Sequence, residues 1–506
     1  MKKLLEKLEA KLPKKIAVVI TEIRENEKDP EKMKLIEYIS FALGQLCYGS
    51  IRHLASGYRQ QFYMAAGLEP LRAGQLVFSQ TVFDAVSDPT VASYIDKRKD
   101  ISKGRFMPFL PRLVPIMATL SIVMFTSPTF LQNPWAVFAW LFMTYAIWEV
   151  VNTLSGVSFD AIGTVMSADQ RERTLYTTIG NLGFQLAGMI PGFIPALLEV
   201  LAIEREGREP LVSQATFFTI CAIVFAIIGI ASGLFTKNLK ERITQERKDE
   251  RFLDNFRLFW QNKSLLLLWT TNIPQLISSA AGPTSAQFYI HAVGNAAWQS
   301  VQWTVAGIPH FLAHTLAPFF INRFRPSRII IVCTMANGVS FTLLFLIGRI
   351  VGYDTWLGIL NIMIFASIGW IPAGIAGIAR RLLQINTFDY TAAQTGKRAE
   401  ATSLALFALG EKLLWALAAL LGGYALQRIG FIQDIGGVQQ LQSQETRDGL
   451  FFIFALFPAI GNLLGALPMF FFKLEGPEFE RRMAELHARN AEQAEAIEEI
   501  EQDAPV

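Results

Sequence analysis

Long apolar stretches recur along this chain and constrain its fold more than any other feature. Each is about twenty residues long, the length that an α-helix needs to cross about 30 Å of hydrocarbon. Hydrophobic side chains make up 52% of the sequence and charged ones only 18%. Because a backbone inside a bilayer must satisfy its own hydrogen bonds, these stretches predict an all-α membrane protein. We place twelve spans near residues 37–66, 74–94, 107–131, 135–166, 176–201, 214–235, 265–293, 298–321, 329–351, 355–385, 402–427 and 450–472.

Charged segments separate the twelve spans into two groups of six. The charged insert 237–263 follows the sixth span, so the sequence predicts one six-helix bundle at 35–236 and a second at 264–473, joined by a cytoplasmic linker. Residues 1–34 are too charged to contain the apolar region of a signal peptide, and we expect a cytoplasmic lead-in helix there. The acidic tail 474–506 is expected to be cytoplasmic and exposed. Two groups of six spans are the outline of a two-lobed transporter.

Lysine and arginine are distributed unevenly between alternate loops. The loops after the even-numbered spans hold roughly twenty of them, against about six in the loops on the other side. Positively charged loops stay on the cytoplasmic side of a membrane. We therefore expect a multi-pass protein of the cell membrane, inner or plasma membrane, with both termini in the cytoplasm.

The polar residues do not form the patterns that are typical of enzymes. Cys47, Cys221 and Cys333 fall in separate apolar spans, without the spacing of a disulfide framework or a zinc site. His310 and His314 lie four residues apart but lack further metal ligands. No phosphate-binding loop, HExxH or nucleophile-elbow pattern stands at a plausible strand-to-helix turn. We predict that the chain is not an enzyme, and that it binds no cofactor and no metal beyond a coupling cation.

Two acids in the second span are the main candidates for function. Asp84 and Asp88 are four residues apart, so a helix presents both on one face. A carboxylate at membrane depth is costly unless it is paired or hydrated, and such groups usually mark an ion or substrate pathway. Two carboxylates and a hydroxyl suit a hard cation, whereas burial and mutual repulsion would let the same pair carry a proton. In a third interpretation, Arg52 neutralises one of the acids in an internal ion pair.

Segments around these acids, and others far downstream, match the patterns of one membrane-protein family. The matching segments are residues 83–89, 94–98, 103–109, 168–174, 261–265, 389–390 and 396–400, together with Lys412. At these distances they resemble the helix-two, loop and helix-eleven signatures of the glycoside-pentoside-hexuronide:cation symporters, which belong to the major facilitator superfamily. The resemblance covers nearly the whole chain.

The resemblance implies a major-facilitator fold of twelve helices in two bundles, with alternating access around a central cavity. It also implies uptake of a solute driven by a sodium, proton or lithium gradient. This family holds its cation with both helix-two acids, the polar residue before the second acid and a helix-four hydroxyl, positions that fall on Asp84, Asp88, Ser87 and Thr153. Six residues of the matching loops are expected to gate the cavity on the cytoplasmic side, namely Asp96, Arg98, Arg105, Asp389, Arg398 and Glu400.

The acids and the arginine that bind sugar in this family have no counterparts at the matching positions. The first span offers Arg52 and Arg59 instead, which suit a carboxylate or phosphate through bidentate hydrogen bonds. In the alternative, Arg59 extends to the membrane interface. Asp160 either lies near the acids Asp84 and Asp88 or pairs with Arg52. Lys412 either senses whether the cation site is occupied or serves as a countercharge to one of these two acids. The expected solute-binding residues are Tyr48, Arg52, Asn152, Asp160, Lys412 and Trp415.

Three functions agree with the sequence. The favoured one is cation-coupled symport of a sugar, glycoside or acidic sugar, because it explains both groups of matching segments. The others are cation-coupled transport of a lysophospholipid-like amphiphile and a non-transporting membrane receptor or scaffold. For the favoured function we expect a small-molecule solute, a monovalent cation (Na⁺, H⁺ or Li⁺) and the lipid bilayer as partners, no nucleic acid, and a monomer.

Overall fold

The computed structural model describes most of the chain and divides it into two compact units. The described residues are 32–96, 104, 106–167, 169–205, 208–242, 260, 262–321, 323–395, 400–434, 439–475, 479–481, 483–485 and 488–489. The first unit comprises Met1–Glu69, Ser79–Lys248 and Gln433–Gln440, and the second comprises Pro70–Phe78, Asp249–Ile432 and Leu441–Val506. Within the described ranges the regular structure is helical, and the β-structure there is one isolated bridge between Arg205 and Arg208.

Seven α-helices of the described residues lie wholly or mostly in the first unit. A 3₁₀ turn at Ile190–Phe193 joins the fifth helix to the sixth, and Asn133 caps the fourth by accepting a hydrogen bond of 2.9 Å from the Trp135 amide. The second helix begins in the second unit and enters the first at Ser79. The helices are α1 (Leu35–Ala65), α2 (Pro70–Asp96), α3 (Leu110–Met124), α4 (Pro134–Val165), α5 (Gln170–Met189), α6 (Ile194–Leu201) and α7 (Gln214–Thr236).

Helix α1 lies at the centre of the packing in the first unit. It packs against α5 and α7, while α3 packs against α4 and α7. A small residue permits the α1–α5 contact, because a Cβ added at Gly49 would lie 2.8 Å from both Ala187 Cβ and the Phe184 ring. This close approach holds the polar face of α1, with Tyr48 and Arg52, in one orientation.

The second unit contains an interrupted helix followed by five long ones. A π-helical segment at Phe288–Val293 ends the interrupted part, and Pro372 and Pro458 lie inside two of the long helices. The helices are α8 (Lys263–Thr270), α9 (Asn272–Ala280), α10 (Ser285–Gln287), α11 (Ala297–Ile321), α12 (Pro326–Val351), α13 (Trp356–Thr395), α14 (Glu400–Arg428) and α15 (Gln444–Gly465). Helix α13 packs against α11 and α12, and α9 packs against α14 and α15.

Every span predicted from the sequence coincides with a helix or with a run of consecutive helices in the described residues. Seven of these segments are long and apolar enough to cross a membrane, and α3 is a shorter apolar helix. Helices α1 and α2 are not among the seven, because polar side chains such as Arg52, Arg59, Asp84 and Asp88 dilute their apolar character. Helices α1 and α2 thus carry charged residues of the candidate site, while α4, which is among the seven, carries its other residues.

Candidate functional site

Both acids of α2 point at hydroxyl groups of α4. The Tyr145 hydroxyl donates a hydrogen bond of 2.8 Å to Asp84 Oδ2, and the Thr153 hydroxyl donates one of 2.8 Å to Asp88 Oδ1. Asp84 is buried and Asp88 is half-buried. Tyr145 and Thr153 are eight residues apart, which is about two helical turns, so one face of α4 meets the acidic face of α2. The structure thus brings together three of the four residues expected at the cation site.

A third carboxylate, which the sequence analysis missed, lies on the same face of α4. Glu149 is 7% exposed and stands one turn after Tyr145 and one turn before Thr153. The Thr153 hydroxyl lies 3.5 Å from Glu149 Oε1, and Asn152 Nδ2 donates a hydrogen bond of 3.2 Å to Glu149 Oε2. A hydroxyl has one proton to donate, and here the shorter contact goes to Asp88. Glu149 is therefore the second acceptor within reach of Thr153.

The same carboxylate connects the acids to the residues expected to bind solute. Asn152 donates to Glu149 and accepts a hydrogen bond of 3.1 Å from the Tyr48 hydroxyl of α1. Gly156 makes room for this hydroxyl, because a Cβ at that position would lie 2.8 Å from Tyr48 Oη. The Tyr48 ring packs on Phe159, with centroids 4.9 Å apart. A chain of polar contacts thus runs from Asp88 to Tyr48 through three residues of α4.

Two arginines of α1 bring positive charge to this network. The Arg59 guanidinium lies over the Tyr145 ring, 4.4 Å from its centroid, and interacts electrostatically with Asp84 and Glu149. Arg52 is exposed, and its guanidinium carbon lies 5.7 Å from the centroid of the Phe184 ring. The carboxylate with which it interacts most strongly is that of Asp160. The exposed Asp160 thus interacts electrostatically with Arg52, which is one of the two interpretations offered for it.

Ser87 and the expected gating residues are less closely tied to the acids. The Ser87 hydroxyl lies 3.4 Å from the main-chain oxygen of Asp84, and Asp389 is half-buried in α13. Glu241 accepts hydrogen bonds from the amides of Phe106 and Met107, at 2.7 and 2.5 Å, and so holds part of the loop after α2. Residues outside the described part of the chain are Arg98, Arg105 and Arg398, and the side chains of Asp96 and Glu400 also fall outside it.

Lys412 and Trp415 belong to α14 in the second unit, and both side chains are exposed. Their neighbour Glu411 is half-buried and accepts a hydrogen bond of 3.2 Å from Asn272 Nδ2 of α9. It also lines a cavity of about 390 Å³ between α13 and α14. The solute-binding roles of Lys412 and Trp415 stay predictions.

This cavity is polar on its α13 side, where Arg380 and Arg381 line it together with Gln384. Arg380 Nη1 donates to Asn272 Oδ1 at 2.6 Å and to the Thr271 hydroxyl at 2.8 Å. None of these contacts was predicted from the sequence. The available signal was a pair of adjacent arginines inside the predicted span 355–385, which is costly unless the pair has polar partners.

Comparison with known proteins shows the family to which this chain belongs. Residues 40–476 match the family model described as MFS/sugar transport protein. The chain belongs to this family. It is a family of transporters, so the chain is a multi-pass membrane transport protein rather than an enzyme, and the all-α major-facilitator fold expected from the sequence is confirmed.

Individual relatives are distant but extend over most of the chain. A protein of Bacillus subtilis named uncharacterized symporter YjmB is 24% identical over 471 residues, which cover 91% of this chain and 97% of that protein. The lactose permease of Lactobacillus helveticus is 25% identical over 415 residues, covering 77% of this chain and 62% of that protein. The crystal structure of a D-xylose-proton symporter is similar with a TM-score of 0.57 and 12% identity, covering 86% of this chain and 97% of that one, and supports the fold alone.

Proposed function

We propose that this chain is a secondary active transporter that couples the symport of a sugar, glycoside or acidic sugar to a monovalent cation by alternating access. The observation that carries the proposal is the pair of contacts from α4 hydroxyls to α2 acids, Tyr145 to Asp84 and Thr153 to Asp88. Carboxylate and hydroxyl oxygens are the ligands that hard cations prefer. Relatives named symporter and lactose permease support the transport of a sugar.

Sodium binding would use Asp84, Asp88 and the Thr153 oxygen, with Ser87 one turn from the first acid. The Thr153 oxygen can face a cation only through a lone pair, so its proton must point elsewhere. Glu149 Oε1, at 3.5 Å, is an acceptor toward which the hydroxyl proton can turn. A proton taken up by Asp88 would instead replace the cation directly, since a neutral carboxyl keeps a hydrogen bond with the hydroxyl. The same geometry therefore serves either Na⁺ or H⁺.

Coupling to the solute follows from the contacts beyond Glu149. A change in the Thr153 hydrogen bond alters the electron density on Glu149, which also accepts from Asn152. Asn152 in turn holds the Tyr48 hydroxyl at 3.1 Å on the face of α1 that carries Arg52. A cation at the acids thus orients the side chains that we assign to the solute, and by linkage the solute strengthens cation binding to the same extent.

The test is the thermal stability of the purified protein in detergent, titrated with Na⁺, Li⁺ and H⁺. A ligand that binds only the folded state raises stability by about 2.7 kcal/mol at 100 times its dissociation constant. We expect Na⁺, or H⁺ in its place, to raise the melting temperature of the wild type. Asp88→Asn should abolish the response, because it removes the carboxylate bonded to Thr153. The matched control is Asp354→Asn, which changes an exposed acid in the same way.

Uptake into proteoliposomes with an imposed cation gradient then separates the candidate functions. If a sugar accumulates and the accumulation is lost when the gradient is collapsed, sugar symport is supported. If a lysophospholipid accumulates instead, the transported solute is a lysophospholipid. A protein whose stability no cation changes at any pH, and whose Asp88→Asn variant is only less stable, would show that the acids are structural. That outcome favours a receptor or scaffold.

The proposal includes the cell membrane as the location, with the N- and C-termini in the cytoplasm and a monomer as the working unit. The excess of Lys and Arg in the loops after even-numbered spans supports this orientation. Accessibility of cysteines introduced into the exposed loop residue Asp354 and near the N-terminus, measured with an impermeant reagent in intact cells, tests it. Reagent should label the first position and spare the second.

A further inference from the structure

The cavity between α13 and α14 gathers opposite charges unequally. Arg380 and Arg381 supply two guanidinium groups, and Glu411 supplies one carboxylate, which leaves one net positive charge. A guanidinium within a membrane-spanning helix is costly and is retained where it has a partner or a function. The cavity volume of about 390 Å³ is in the range of small-molecule sites.

Arg380 is hydrogen-bonded through one of its three guanidinium nitrogens. Its Nη1 donates to the Asn272 and Thr271 side chains at 2.6 and 2.8 Å, and Asn272 is in turn bonded to Glu411 at 3.2 Å. Among the residues that the structure describes, the hydrogen bonds of Arg380 all use Nη1. Its Nε and Nη2 donors are therefore available to a ligand in the cavity.

Arg381 shows the same arrangement at the cavity wall. Its Nη1 donates a hydrogen bond of 3.1 Å to Gln384 Oε1, one turn further along α13, and the residue is exposed. Two fixed guanidinium groups on one helix offer the paired N–H donors that recognise the planar or tetrahedral oxygens of an acid group.

We propose that this cavity binds a singly charged anionic group of the transported solute: a carboxylate, a sulfonate or a phosphodiester. The proposal rests on the proposed function in that it assigns the anion to the transported solute. Arg380 and Arg381 bind the acid oxygens, and Glu411 positions Arg380 through Asn272. Glu411 holds the Arg380 guanidinium in place, but its own negative charge repels the anion. The arginines and Glu411 should therefore affect the affinity for the anion in opposite directions.

The experiment measures binding to the detergent-purified protein, at constant Na⁺, by the concentration dependence of the melting temperature. The probes are glucuronate, 6-deoxy-6-sulfoglucose and neutral glucose, with lysophosphatidylglycerol as a lipid whose phosphodiester also carries one negative charge. We expect the anionic sugars to bind at least about tenfold more tightly than glucose, the effect of charge-assisted hydrogen bonds. Tighter binding of the lysolipid alone would assign the cavity to a lipid head group.

Three variants make the proposal falsifiable even if Arg380→Gln fails to fold. Arg381→Gln should weaken the anionic probes about tenfold and leave glucose unchanged. Glu411→Gln keeps an oxygen for Asn272 but adds net positive charge, and should strengthen the anionic probes about threefold. Arg428→Gln, a control at an exposed arginine bonded to Tyr424, should change neither.

Equal affinity for anionic and neutral sugars, no anion response while Na⁺ still stabilises the protein, or weakening by both Arg381→Gln and Glu411→Gln would each overturn the proposal. Gradient-driven uptake distinguishes this failure from that of the proposed function. Uptake of a neutral sugar under a Na⁺ gradient, without anion binding, refutes the anion site and leaves the symporter. Anion binding without a cation response at any pH refutes the symporter and leaves a binding site.

Discussion

The polar cluster of the first unit and the cavity of the second use the same residue types in opposite proportions. Along α4 between Tyr145 and Thr153, the carboxylates of Asp84, Asp88 and Glu149 outnumber the nearby arginines of α1, Arg52 and Arg59, whereas two arginines and one carboxylate, Glu411, line the α13–α14 cavity. Carboxylate oxygens bind cations and guanidinium groups bind anions. Each cluster should therefore contact a different ligand directly, so a substitution in one cluster should change the affinity for the other ligand only through the coupling between the two sites.

After the loss of the cation response expected for Asp88→Asn, the largest effect comes from Glu149→Gln, which removes a buried charge from the acidic cluster. We expect the Na⁺ concentration for half-maximal stabilisation to rise at least about tenfold, since hydrogen bonds to charged groups contribute about 1.5–3 kcal/mol. The amide still offers Asn152 an oxygen acceptor, so solute affinity at saturating Na⁺ should change less. The measurement is thermal stability against Na⁺, with and without a transported sugar.

Glu204→Gln is the control for this prediction, because Glu204 is an exposed acid in the loop after α6. It should leave the Na⁺ response intact. If Glu149→Gln keeps wild-type Na⁺ affinity but weakens anionic probes in the manner of Arg381→Gln, the two clusters do not govern separate ligands and the comparison fails.

Tyr145→Phe should have the next largest effect, because it removes only the hydroxyl bonded to the buried Asp84. The loss of one donor to a buried carboxylate should reduce stability by about 1–3 kcal/mol and weaken Na⁺ binding several-fold. The ring remains under the Arg59 guanidinium, so the cation–π contact is kept. Tyr424→Phe, which removes an exposed hydroxyl bonded to Arg428, should change stability by less than about 1 kcal/mol. Equal effects of the two substitutions would show that the Tyr145 hydroxyl has no special role.

The helices and the acid pair were predictable from sequence because both follow from short-range rules. Apolar length alone placed α12 at 329–351, against Pro326–Val351 in the structure. The spacing of Asp84 and Asp88 fixed their common face, and the family signature pointed to Thr153, which does contact Asp88. These inferences need only helix geometry and the cost of a buried charge.

Glu149 was not predicted because the family resemblance directs a helix-four acid to the position of Ser155 or Gly156, where this chain has no acid. The carboxylate comes instead from about two turns earlier on α4. Its signal was available: an acid inside the apolar span 135–166, three and four residues before Asn152 and Thr153, lies on the face of α4 that was already assigned to the site. Buried charge is a more general guide here than the position of a family motif.

The second unit shows a limit that helix geometry alone imposes. Adjacent residues Glu411 and Lys412 point about 100° apart, so only one faces a given neighbour. Which one does so depends on the long-range contact between α14 and α9, where Asn272 donates to Glu411. Arg380 donates to Thr271 and Asn272, which lie more than a hundred residues away from it in the chain. No spacing rule reaches over that distance.

The smallest expected effect concerns an acid outside both clusters. Asp434 lies in the loop after α14 and accepts hydrogen bonds from Gln214 Nε2 at 2.8 Å and from the Gln440 amide at 3.0 Å. Burial raises the pKa of its carboxyl above the ordinary value of 3.8, while these hydrogen bonds oppose the shift. The folded protein therefore favours the protonated acid. The stability that this group contributes is fully present below pH 3.8 and is lost as the pH rises through the raised pKa.

Asp434→Asn should remove this slope, with a change of about 1 kcal/mol or less, and make the variant slightly more stable than the wild type near neutral pH. Melting temperatures between pH 4 and 7 in sodium-free buffer measure it, with Asp354→Asn as the variant that keeps the wild-type slope. A pH dependence that survives in Asp434→Asn but disappears in Asp88→Asn would assign the titration to the acidic cluster. It would favour H⁺ as the coupling ion and so sharpen the distinction between a cluster that binds cations and a cavity that binds anions.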